Sequence, residues 1–104
     1  MASEIDETMK RLMAHKGVQA IVIINSDGIP IRTVPAMEPK DAVLYPALLA
    51  QLQDQAKDMI KRLDVTNEFQ TMRIRSHKNE ILIYPEKEYT LIVVHTSALS
   101  AADA

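Results

Sequence analysis

The residues of this chain with chemistry to offer are few and scattered. There are three histidines, His15, His77 and His95. None has a second histidine at i+3 or i+4, so no pair is set to share a metal ion on one helix face. His95 stands two residues before Ser97, the order of a base beside a hydroxyl nucleophile. A strand-end histidine next to a small polar tail reads instead as solvated. Asp27 lies in Asn25-Ser26-Asp27-Gly28, where a short carboxylate bonds its own backbone, so it reads as a turn residue. Arg73 and Arg75 share a strand face and would suit an anion, but Glu68 and Glu80 are close enough to neutralise them. The two glycines, Gly17 and Gly28, rule out a Gly-x-Gly-x-x-Gly turn or a P-loop. With no cysteine, there is no thiol nucleophile, disulfide or thiolate metal site. The residue types therefore point away from an enzyme, a cofactor or a metal centre.

Composition narrows the class further. A chain of 104 residues supports one domain with one core. A net charge of −2 gives no reason to expect nucleic acid or an anionic membrane as partner. The start, Met-Ala-Ser-Glu-Ile-Asp-Glu, lacks a basic region and an apolar run, so no signal peptide is read. No apolar stretch approaches the ~18 residues of a membrane span.

The elements that must position any site begin with Gly17 to Thr33. Ala20 to Ile24 is unbroken apolar sequence. Alternation sends Ile21 and Ile23 to one face and Ala20, Val22 and Ile24 to the other. A strand apolar on both faces is central and covered on both sides. Asn25 to Gly28 is a turn, and a more polar strand returns over 29–34. Its Pro30 lacks an N–H, which restricts it to an edge or a strand start. Before this hairpin, Ser3-Glu4-Ile5-Asp6 reads as a capping box. Ile5, Met9, Leu12 and Met13 then form one helical stripe, and Gly17 supplies a left-handed stop. After it, a proline-broken loop over 34–39 leads to a long helix from Lys40 or Asp41 to about Leu63. Leu44, Leu48, Leu52, Ala56, Met59 and Leu63 form its stripe, widened by Leu49 and Ile60. Pro46 requires a later start or a mild kink. Three strands follow, at about 68–75, 80–84 and 89–95. Asn79, in the loop 76–79, tolerates the left-handed region. Leu91 to Val94 is the second strand apolar on both faces. Of the six methionines, Met9, Met59 and Met72 read as core filler, while Met13 and Met37 sit beside polar segments.

The order is α-β-β-α-β-β-β. The two doubly apolar strands belong side by side in the middle. This predicts an α/β protein of the α+β type: an antiparallel five-stranded sheet in the order 2-1-5-4-3 with one helix on each face. Residues 1–96 make a single domain and 97–104 a flexible tail.

Several stretches together carry a family resemblance. Lys16-Gly17-Val18-Gln19, Asn25-x-x-Gly28-Ile29-Pro30-Ile31, Arg73-Ile74-Arg75-Ser76-x-Lys78-Asn79-Glu80-Ile81 and Tyr89-x-Leu91-Ile92-Val93 resemble the Roadblock family of dynein light chains, over about residues 4–96. The resemblance implies a non-enzymatic light chain of a dynein motor. Such a subunit forms a homodimer, binds the dynein intermediate chain and attaches cargo, with a Roadblock paralogue as a further partner. It implies a cytoplasmic, cytoskeleton-associated location, or a cilium or flagellum. The alternative is a regulator or scaffold for a small GTPase, since related Roadblock-domain proteins act on or with such GTPases. The residues suggest where self-association would occur. The edge Ile31, Arg32, Thr33 and Val34 is unblocked by lysine, and Leu48, Leu52, Gln55 and Met59 would pack across a two-fold axis. A groove beside the shorter first helix, lined by Met9, Leu12 and Met13 and by outward apolar residues of the fourth and fifth strands, and rimmed by Lys10, Arg11 and Lys16, would receive the partner as an amphipathic helix.

Overall fold

The computed structural model describes residues 4–34 and 39–96. The elements are α1 (Glu4–Met13), β1 (Val18–Asn25), β2 (Pro30–Val34), α2 (Pro39–Leu63), β3 (Met72–Arg75), β4 (Asn79–Pro85) and β5 (Tyr89–Thr96). They form one antiparallel sheet of five strands in the order β2-β1-β5-β4-β3. This is the order that seating β1 beside β5 requires. The Ser3 cap, the loop 35–38 and the tail 97–104 lie outside the described residues. Among those described, no helix is long and apolar enough to cross a membrane.

The core lies in two layers, one on each face of the β1–β5 pair. On the first face Ile21 and Ile23 pack with Met9 of α1, flanked by Ile5, Leu12 and Met13. On the second, Val22, Ile24, Ile83 and Ile92 pack under Leu49 of α2. Each of these isoleucines contributes about 1.5–3 kcal/mol by leaving water. A bulge adjusts the pattern at the start of β1. Val18 pairs with His95 and Ala20 with Val94, so Gln19 is the extra residue. The bulge brings Val18 onto the same face as Ile21, against the simple alternation. The Gln19 Oε1 then accepts a hydrogen bond of 2.6 Å from Asn79 Nδ2.

Three details differ from the sequence reading. First, β3 begins at Met72 rather than at 68, because its only ladder, to β4, starts with Met72 opposite Ile83. Second, α2 runs unbroken from Pro39 through Pro46. Pro39 sits at the first helical position, where no N–H is needed. Pro46 gives up one helical hydrogen bond but is fully buried. Third, Asn79 is a strand residue, and among the described residues only Gly17 and Gly28 take positive φ. The Ser76 hydroxyl closes that loop instead, donating to Asn79 O at 3.0 Å and accepting from Asn79 N at 3.1 Å.

The turns are satisfied locally. Asn25 Oδ1 accepts from Asp27 N at 2.9 Å and Ile29 N at 3.0 Å, while Asn25 O accepts from Gly28 N at 3.0 Å. After α2, the Asp64 carboxylate accepts from Thr66 Oγ1 at 2.7 Å and Thr66 N at 3.0 Å. The hydroxyl bond first, then the backbone one, holds this carboxyl below its usual range. Its contribution is present above the ordinary carboxylate pKa and fades as pH falls through the lowered value.

Gly17 holds φ at +91°, and a Cβ there would stand 2.6 Å from His95 Cε1. The substitution Gly17→Ala is therefore expected to cost about 1–3 kcal/mol in urea unfolding. Part of that cost is strain at positive φ and part is collision with the imidazole. In a His95→Ala background the second part vanishes, so the cost of Gly17→Ala falls there. Equal costs in both backgrounds would show that the ring yields freely.

Candidate functional site: protein-interaction surfaces

The isolated chemical residues do not converge. Among the described residues, no group of His, Asp and Glu is arranged to hold a metal ion. The Glu80 carboxylate bridges Arg73 Nε at 2.8 Å and Arg75 Nη2 at 3.3 Å. The arginine pair is thus partly neutralised by Glu80; Glu68 is exposed in the coil before β3. His95 is not a free base, because its Nδ1 lies 2.7 Å from Thr96 O and its Nε2 3.1 Å from Lys16 O. A neutral imidazole can donate to one of these carbonyls, and an imidazolium to both. Either form ties the turn before β1 to the end of β5.

Among the described residues, two extended apolar surfaces stand out. The first joins β2 to the outer side of α2. β2 is the edge strand, and Ile31 is 50% and Val34 37% exposed. Thr33 is half-buried and pairs with Val22, while Arg32 forms an ion pair with Asp6 of α1. Arg32 is therefore engaged within its own protomer. In α2 the sheet-facing line is Pro46, Leu49, Gln53 and Ala56. The leucines read as its main stripe point outward: Leu48 is 54%, Leu52 38% and Met59 54% exposed, with Gln55 exposed among them. A helix with its polar Gln53 against the sheet and Leu48 and Leu52 in water has a second apolar surface to cover. Beside it, Leu44, Tyr45, Leu48, Leu49 and Ile81 enclose an apolar hollow of about 270 Å³.

The second surface is a groove of about 750 Å³ between α1 and strands β4 and β5. Leu12, Val18, Leu82, Tyr84, Leu91 and Val93 form its apolar lining, with His15, Lys16, Glu86 and His95 among the polar residues. Of the residues expected along such a groove, Leu12 and Lys16 are in place. Met9 is not, since it is 3% exposed and packs against Ile21 and Ile23. Met13 is half-buried against the same cluster, and Lys10 and Arg11 are exposed on α1 without lining the groove. The physical reason is helix phase: Met9 faces straight down onto β1, and Leu12 leans toward β5. The outward residues expected from the fourth and fifth strands are Leu82, Tyr84, Leu91 and Val93, while Val18 and His95 were not anticipated. Tyr84 and His95 follow simple strand alternation, with Leu82 on β4 and with Leu91 and Val93 on β5, whereas Val18 depends on the bulge at Gln19.

A family model, the Roadblock/LC7 domain, matches residues 4–96. Among solved structures, the chain resembles a Roadblock/LC7 domain from Streptomyces avermitilis, with a TM-score of 0.78 at 16% identity, covering 97% of this chain and 85% of that one. It resembles the gliding protein MglB of Thermus thermophilus, with a TM-score of 0.72 at 15% identity, covering 86% and 69%. A third similar structure is MglB with a tetrameric arrangement, with a TM-score of 0.73 at 14% identity, covering 93% and 75%. At these identities the likeness is one of fold. It corrects the expectation of a dynein light chain, because these are bacterial Roadblock and gliding proteins rather than subunits of a microtubule motor. The dynein intermediate chain loses its support as partner, and the motor and cytoskeletal roles go with it. By the match across nearly all of its described length, the chain belongs to the Roadblock/LC7 domain family.

Proposed function

We propose that this protein is a non-catalytic Roadblock-type regulator or scaffold that self-associates and acts on a small GTPase. The observation that carries the reading is the outward apolar side of α2 continuing toward the unblocked β2 edge. Antiparallel pairing of two β2 strands would extend the sheet to ten strands and bring Leu48, Leu52, Gln55 and Met59 of two protomers together. The tetrameric arrangement of an MglB with this fold supports self-association. The GTPase class rests on the company that Roadblock domains keep. Such a protein brings no nucleotide site of its own, in keeping with two glycines that both serve turns. The groove beside α1 then serves as the partner surface, with Lys16 and His15 at its rim.

Three measurements test this. Sedimentation at low micromolar concentration is expected to show a dimer or larger species, and Leu52→Asp to convert it to monomer. A monomeric parent protein would overturn the pairing. Small GTPases from the same cell, purified and loaded with GDP or a GTP analogue, are expected to co-elute with the protein in one nucleotide state. Leu12→Asp in the groove should preserve self-association and weaken that capture about ten-fold, or roughly 1.4 kcal/mol. Finally, calorimetry of the protein alone with GTP or ATP and magnesium should give no saturable heat.

A further inference from the structure

At the end of the sheet away from His95, a separate polar pocket of about 180 Å³ opens between α2 and two hairpin turns. One turn is Asn25 to Gly28 and the other is Glu86 to Glu88. Gln53 on the inner face of α2 and Thr90 of β5 are part of its lining, and they are 6% and 7% exposed. Gln53 Nε2 donates to Thr90 Oγ1 at 3.3 Å. Its Oε1 is buried and accepts no hydrogen bond. Fixing α2 against the sheet accounts for the Nε2 bond and leaves the oxygen unexplained. A leucine at this position would fill the space with no orphaned acceptor.

The surroundings say what kind of group would satisfy that oxygen. Asp27, Asp54, Glu86 and Glu88 line the pocket against Lys57 and Lys87, so the rim is acidic. None of the six is in an ion pair found among the described residues. The backbone offers little to an anion. Asp27 N and Ile29 N are taken by Asn25 Oδ1, Gly28 N by Asn25 O, and Glu86 N by Tyr89 O. A pocket with a buried acceptor, an acidic rim and the amides of Asp27, Gly28 and Glu86 already engaged selects a positively charged N–H donor. A metal ion does not fit, because no three ligands converge among the described residues.

We propose that this pocket binds an ammonium or guanidinium group, with Gln53 Oε1 as its buried acceptor and the four carboxylates as its field. The proposal is independent of the GTPase reading. The group would come from a lysine or arginine side chain of another protein or from a free polyamine. Nuclear magnetic resonance of the full chain distinguishes these sources. The probes are N-acetyl-arginine amide, N-acetyl-lysine amide and spermidine, with neutral N-acetyl-norleucine amide as control. The cationic probes are expected to shift the Gln53 side-chain amide and the Gly28 amide saturably, and the neutral one is not. Tighter binding of the amino-acid amides assigns the site to a protein side chain, and tighter binding of spermidine assigns it to a polyamine. Gln53→Leu should weaken binding about ten-fold or more. Asp27→Asn with Asp54→Asn, both exposed and outside the core, should weaken it and reduce its salt dependence. No saturation, an equal response to the neutral probe, or undiminished binding in the double carboxamide variant would overturn the proposal.

Discussion

The structure depends on one constraint, the need to cover both faces of the β1–β5 pair. Ile21 and Ile23 on one side and Val22, Ile24 and Ile92 on the other are all essentially inaccessible. A five-stranded face is roughly 20–24 Å wide, and one helix with its side chains spans about 10–12 Å. One helix per face seals the middle of the sheet and leaves its flanks. The groove on the α1 side and the hollow beside α2 are these uncovered flanks. Both follow from strand number and helix number, before any particular side chain is considered.

The same constraint explains why α2 looks inverted. Over the central strands it needs only a narrow contact, which Pro46, Leu49 and Ala56 provide. Leu48 and Leu52 are free to face outward. An exposed apolar helix face on a monomer would be a liability in water, and an exposed strand edge is another. Burying the two together against a second copy would remove both at once. This is why self-association is a more economical account of Leu48, Leu52 and Met59 than chance exposure.

Much of the fold was legible because its signals were redundant. Two strands apolar on both faces, Ala20 to Ile24 and Leu91 to Val94, fixed the centre of the sheet, and the short hairpin turns then left one strand order. Gly17 and Gly28 took the positive φ that their positions in the turns suggested. What remained hidden depends on more than one segment. The bulge at Gln19 is visible only when β1 is set against β5, and it moves Val18 into the groove. Met9 and Leu12 belong to one stripe by spacing, yet their fates differ because α1 sits over β1 rather than over β5. The Gln53 pocket was invisible for the same reason: its rim comes from three segments distant in sequence. The dynein reading rested on short motifs such as Gly28-Ile29-Pro30-Ile31, and in the structure that stretch closes a hairpin and begins an edge strand. Motifs of this kind report how the fold turns its corners, so they identify the domain better than its partner.

The two ends of the sheet are built by opposite chemistries. At one end, the imidazole of His95 faces two backbone carbonyls and Gly17 is pressed against its ring, so the side chain meets the acceptors the backbone leaves open. At the other, Asn25 satisfies the donors of its own turn, and Gln53 beneath is left with an acceptor unused. The first arrangement finds its partners within the chain and is sufficient as structure. The second does not, although an apolar residue would have left nothing open. Buried polar groups are ordinarily paired, so an open acceptor beneath an acidic rim is the place in this fold where structural need alone does not account for the residue present.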